Sequence, residues 1–161
     1  MLFKTLIAAA AAATAFADQS YSLHAVLPGQ GAAGMQALQI RGDNIVYGLT
    51  QGFSYFTVDA VGNGLVNVIS PGQNPKELYA ADDGELVINQ HPSANGEGSQ
   101  GGWRFEGEGS VKSVSYYGAK DWYSCNSETD PLHGGPVVHI KKGNKYACEN
   151  PVHFTLTATV E

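Results

Sequence analysis

Glu77-Leu78-Tyr79-Ala80-Ala81-Asp82-Asp83-Gly84-Glu85-Leu86-Val87-Ile88-Asn89 reads as two short apolar strands folded about a tight turn. Asp83-Gly84 supplies the positive φ that such a turn demands, and Leu78-Tyr79-Ala80 and Leu86-Val87-Ile88 are the arms it joins. Working outward, the same grammar repeats: apolar residues recur with period two, and Gly or Asn/Asp breaks interrupt them every eight to twelve residues or so. Gly62-Asn63-Gly64 and Lys142-Gly143-Asn144 are further turns of this kind. The pattern predicts an all-β chain with strands at Ser20–Val26, Met35–Ile40, Asn44–Leu49, Ser54–Val58, Leu65–Ile69, Glu77–Ala80, Glu85–Asn89, Trp103–Glu106, Val111–Tyr116, Trp122–Cys125, Val137–Lys141, Lys145–Cys148 and Val152–Thr159. His91 to Gly102, rich in glycine, reads as a long exposed loop.

About a dozen short strands fit a β-trefoil or a two-sheet β-sandwich. A short internal echo favours the trefoil-like arrangement, with the sandwich as the alternative. Asn44-Ile45-Val46-Tyr47-Gly48-Leu49, Glu85-Leu86-Val87-Ile88-Asn89 and Trp122-Tyr123-Ser124-Cys125-Asn126 start about 40 residues apart, the spacing of a three-fold repeat.

The N-terminus carries an export signal. Lys4 gives the positive end, Leu6 to Ala15 form an uncharged apolar run too short to span a bilayer, and Ala15-Phe16-Ala17 is a small-x-small cleavage pattern. Residues 1–17 are therefore expected to be a signal peptide, and 18–161 a single secreted domain of about 144 residues, enough for one hydrophobic core. No later apolar run suits a membrane span, and no glycolipid-anchor pattern closes the chain, so no membrane anchor is expected.

Fifteen acidic residues against nine basic ones give a net charge of −6. That surface argues against nucleic acid or anionic lipid as partner. Cys125 and Cys148, the two cysteines of the chain, meet an oxidising lumen and are expected to form a disulfide, worth about 3 kcal/mol by the chain-entropy estimate.

Catalytic and metal patterns are sparse. His24, His91, His133, His139 and His153 show no tight ligand spacing, although His133, His139 and His153 could converge across strands; no metal or other cofactor is expected. No Gly-x-Ser-x-Gly elbow occurs. Asp82, Asp83, Glu85, Glu106 and Glu108 are the carboxylates a glycosidase could use, but solvated turn and strand-end positions account for them, so no enzymatic activity is expected.

Aromatics crowd the second half: Trp103, Tyr116, Tyr117, Trp122, Tyr123 and Tyr146. Sugar rings stack on exposed aromatic faces, and Trp103, Tyr116 and Trp122 are the candidate carbohydrate-stacking residues. Core packing is the competing reading. Alternation puts Trp103 and Phe105 on one face and sets Tyr116 against Tyr117, so some rings are expected to point outward.

Trp103-Arg104-Phe105, Gly109-Ser110-Val111, Trp122-Tyr123-Ser124-Cys125-Asn126, Cys148 and Phe154-Thr155-Leu156-Thr157-Ala158, preceded by Tyr21-Ser22-Leu23-His24-Ala25-Val26 and Pro28-Gly29-Gln30-Gly31, resemble the PhiA-like fungal cell wall proteins. The C-terminal part is also distantly similar to the end domain of the Pir-type yeast wall proteins, without their Gln-containing repeats for covalent linkage. The resemblance implies an extracellular or cell-wall location and a structural or wall-polysaccharide-associating role, with wall polysaccharide or other wall proteins as partners and no catalytic residues to carry over. A lectin-like carbohydrate-binding module and a secreted effector or allergen remain the alternatives.

Overall fold

The computed structural model describes residues 19–69, 74–89, 101–127 and 134–161; the expected signal peptide and the core of the glycine-rich loop lie outside them. The described chain is all-β, with thirteen strands. These are β1 (Gln19–Val26), β2 (Met35–Arg41), β3 (Asn44–Tyr47), β4 (Ser54–Tyr55), β5 (Thr57–Gly62), β6 (Leu65–Ile69), β7 (Lys76–Ala80), β8 (Leu86–Asn89), β9 (Trp103–Glu106), β10 (Val111–Tyr116), β11 (Trp122–Asn126), β12 (Pro136–Ile140) and β13 (Val152–Val160). Among the described residues no helix is long and apolar enough to cross a membrane.

Nine strands close an antiparallel barrel in the order β1, β5, β6, β7, β8, β3, β12, β11, β13 and back to β1. The closing seam joins the first strand to the last, from Tyr21 opposite Val160 to Val26 opposite Thr155. Closure leaves few unpaired edges. Extra strands flank the ring: β2 pairs with both β1 and β3, β4 hangs on β2, and the β9–β10 hairpin attaches to β13. The barrel is neither plainly a trefoil nor plainly a two-sheet sandwich. The three echoing segments fall on β3, β8 and β11; β3 and β8 are ring neighbours, and β11 lies two strands from β3. Strands related by a three-fold axis through a nine-membered ring would stand three apart.

Period-two alternation fills the interior. Tyr21, Leu23 and Ala25 of β1 meet Phe154, Leu156 and Ala158 of β13, with Val66, Val68, Leu78, Leu86, Val138 and Ile140 completing the core. The Asp83-Gly84 turn forms as expected: Ala81 N–H donates to Glu85 O at 2.9 Å, and Asp83 Oδ1 accepts from Glu85 N–H at 2.9 Å.

Two expected strands differ. Ser54–Val58 is broken at Phe56, whose ring is buried. Lys145–Cys148 is not a strand, because the chain turns tightly at Lys142–Lys145 and then crosses the outside of β11 to reach its disulfide partner. Cys125 and Cys148 are bonded, with Cα atoms 6.0 Å apart. This bond staples the segment 142–151 over the barrel wall. Tyr123, on the outward face of β11, is thereby fully buried, and its hydroxyl accepts from Ala147 N–H at 2.9 Å.

Candidate functional site

The three rings expected to stack on sugars lie inside the core. Trp103, Tyr116 and Trp122 are 4%, 3% and 1% exposed. Trp103 and Trp122 stack on each other with centroids 5.8 Å apart, and Tyr116 meets Trp103 edge-on at 5.0 Å. Their polar handles are used internally: Trp103 Nε1 donates to Leu78 O at 2.9 Å, Trp122 Nε1 to Val114 O at 3.1 Å, and the Tyr116 hydroxyl accepts from Ala80 N–H at 3.3 Å. No face of these rings is open to a sugar. The platform expectation is corrected at these positions for an energetic reason: indole and phenol rings are the largest apolar surfaces the chain owns, and a closed barrel must be filled.

Of the aromatics crowding the second half, Tyr117 points outward most, 60% exposed. It occupies the tip of a two-residue hairpin turn. Tyr116 and Ala119 exchange N–H···O bonds of 3.0 Å each way, and Tyr117 and Gly118 between them take φ +49 and +79. Positive φ at both central residues is the type I′ requirement, which Asn and Gly meet easily and a bulky side chain does not. Holding tyrosine there costs about 1 kcal/mol. The ring is seated by Gly102: Tyr117 N–H donates to Gly102 O at 2.7 Å, and a Cβ at Gly102 would stand 2.4 Å from the phenol ring.

Tyr117 forms one wall of an open cleft of about 760 Å³, together with Asn63, Arg104, Glu106, Ser115 and Lys120. Trp103, buried as described, also borders it. Arg104 Nη1 and Glu106 Oε1 stand 3.9 Å apart, both well exposed, so this solvated pair adds little stability. Both groups are free to hydrogen-bond a ligand. An amide, a guanidinium and a carboxylate beside a fixed aromatic ring can satisfy neighbouring hydroxyls while the ring takes a C–H face.

The remaining candidates are scattered. Glu108 is exposed next to the β9–β10 turn, and Asp82 is exposed in the β7–β8 turn. Glu85 departs from the solvated position expected of it. It is half-buried, and burial pushes its carboxyl above the ordinary range, opposed by His139 and reinforced by Asp83. His133 and His91 lie outside the described residues. His139 and His153 flank Tyr123 from β12 and β13, with ring centroids 5.2 and 6.4 Å from its own. His153 Nδ1 lies 3.2 Å from Asp121 Oδ1, and the Tyr146 hydroxyl donates to Asp121 Oδ2 at 3.0 Å. Among the described residues no group of three or more His, Cys, Asp or Glu could hold a metal ion.

Sequence reasoning missed Tyr117 as the outward ring of choice. The available signal was Tyr117-Gly118 between two short β segments, a turn tip that must project from the sheet. No protein-family model, no curated protein and no solved structure matches this chain.

Proposed function

We propose that this chain is a secreted, non-enzymatic protein of the fungal cell wall or cell surface that associates with wall polysaccharide through the Tyr117 cleft. The observation that carries the reading is an exposed tyrosine held on a backbone conformation that tyrosine disfavours, beside side chains suited to sugar hydroxyls. The resemblance to the PhiA-like proteins supports the wall location, and the Cys125–Cys148 disulfide supports an oxidising, extracellular setting. Among the described residues one carboxylate, Glu106, lines the cleft, whereas glycoside hydrolysis uses two across the scissile bond. Binding therefore fits the cleft better than hydrolysis does.

A stacking contact is worth about 1 kcal/mol. Single-site affinity should be weak, in the high micromolar to millimolar range. Mixing purified protein with insoluble glucan, chitin and mannan should leave it depleted from solution by at least one polymer, with no soluble sugar released. Equal recovery in every supernatant removes the polysaccharide reading, and hydrolysis abolished by Glu106→Gln replaces it with an enzymatic one.

A second reading is a secreted effector that docks on another protein. It is favoured by Phe53 and Tyr55, paired edge-on at 4.9 Å beside the two-residue strand β4, which bonds to β2 alone. Tyr55 is exposed there. Changes at Tyr55 that alter protein capture but leave polymer depletion intact would favour this reading.

A further inference from the structure

The β7–β8 turn is docked against β12 rather than left in solvent. Gly84 takes φ +93, its carbonyl accepts from Ile140 N–H at 2.9 Å, and a Cβ at that position would stand 2.1 Å from Ile140 O. Only glycine permits this approach. The next residue, Glu85, bridges to His139, so the two side chains leave the sheet on the same face. The docking thus brings the carboxylates of Asp83 and Glu85 to a pocket of about 290 Å³ that His139, Asn44, Asn126 and the Cys125–Cys148 bridge also line.

The chemistry of this pocket is one-sided. His139 is 6% exposed, and its Nδ1 lies 3.0 Å from Val137 O. A carbonyl can only accept, so Nδ1 carries the proton in this contact and Nε2 is the ring nitrogen left to a ligand. Among the described residues no lysine or arginine forms an ion pair with Asp83 or Glu85. Two carboxylates therefore line the pocket beside His139 with no lysine or arginine paired to them, while the Asn44 and Asn126 amides can both donate and accept. The volume is at the small end for ligand sites and suits a single sugar ring.

We propose that this pocket binds a small primary ammonium ligand carrying neighbouring hydroxyls, the chemistry of a 2-amino sugar. The ammonium meets the Glu85 and Asp83 carboxylates, and the hydroxyls meet His139 and the two asparagine amides. The protein's net charge of −6 favours approach of a cation. This site shares no residue with the Tyr117 cleft and stands or falls separately from it.

The test is an amide-shift titration of the isotope-labelled secreted protein near neutral pH with D-glucosamine, N-acetyl-D-glucosamine, D-glucose and ethylammonium. Glucosamine should move the amides of Glu85, Asn126 and His139, and bind at least about tenfold more tightly than the other three. Glu85→Gln keeps the shape and removes the charge. It should weaken glucosamine by about tenfold or more, while Tyr117→Asn leaves that binding unchanged. Glucosamine no tighter than glucose or N-acetylglucosamine, ethylammonium as tight as glucosamine, or a Glu85→Gln titration matching the parent would each overturn the assignment.

Discussion

The two faces of the β11–β12 pair are buried by different means. Inward, Trp122, Val138 and Ile140 belong to the barrel core, an apolar layer built by alternation alone. Outward, Tyr123, Val137 and His139 are also shielded, yet their cover is the 142–151 segment, held by the disulfide, by the Tyr123 hydroxyl on Ala147 N–H and by the Tyr146 hydroxyl on Asp121. The inner face is shielded by the closed ring itself. The outer face is shielded by a strap, which lets ionisable groups sit half-desolvated at the surface of a small domain. That difference separates what stabilises the barrel from what the outside of the wall can be used for.

The largest expected effect falls on the inner face. Trp122→Ala opens a cavity and strands the Val114 carbonyl, costing about 3–5 kcal/mol in urea unfolding. A loss below about 1 kcal/mol would mean that the ring is not the core anchor described here. Cys125→Ser with Cys148→Ser should cost about 3 kcal/mol, and the loss should be regional. Hydrogen exchange of Ala147 N–H should speed up first, while the core amides of β12 stay protected; uniform loss would show that strap and barrel are one cooperative unit. Tyr123→Phe removes only the acceptor for Ala147 N–H, an effect of about 1 kcal/mol.

The smallest effect has a sign worth measuring. Burial holds the Glu85 carboxyl above the ordinary range, so the folded state binds that proton more tightly than the unfolded chain. Ionisation then costs stability as pH rises through this range, and the cost is absent below the unfolded value. Glu85→Gln should raise the melting temperature at pH 7 and lose that advantage by about pH 3. A variant less stable at pH 7 would show that the attraction of His139 outweighs burial. Because the variant is expected to fold at least as well as the parent, any loss of glucosamine binding in it cannot be blamed on unfolding.

Strands were legible because their signal is local. Leu65–Ile69, Trp103–Glu106 and Val111–Tyr116 coincide with expectation, since alternation and turn residues act within a few positions. The seam of β1 with β13 was not legible, because pairing between the two ends of a chain leaves no local mark. Alternation correctly placed Trp103 and Phe105 on one face, and Phe105 stacks on Tyr21 with centroids 4.4 Å apart. It could not say which face was inside, and so Trp103, Tyr116 and Trp122 stood as candidate stacking rings beside the core reading, although the barrel needed their volume. The Glu85–His139 bridge joins two turns-of-strand far apart in sequence through a glycine contact, and no spacing rule reports that. The disulfide was legible because two cysteines leave one pairing.

What distinguishes Tyr117 from the core aromatics is that its ring is held in the open at a conformational cost. Asparagine suits the same left-handed backbone better than tyrosine, so Tyr117→Asn removes the ring while preserving or improving the turn. The deciding measurement is depletion of parent and Tyr117→Asn protein by the retaining wall polymer, alongside their melting temperatures. The account predicts a variant at least as stable as the parent that stays in the supernatant; a variant depleted as fully as the parent would contradict it.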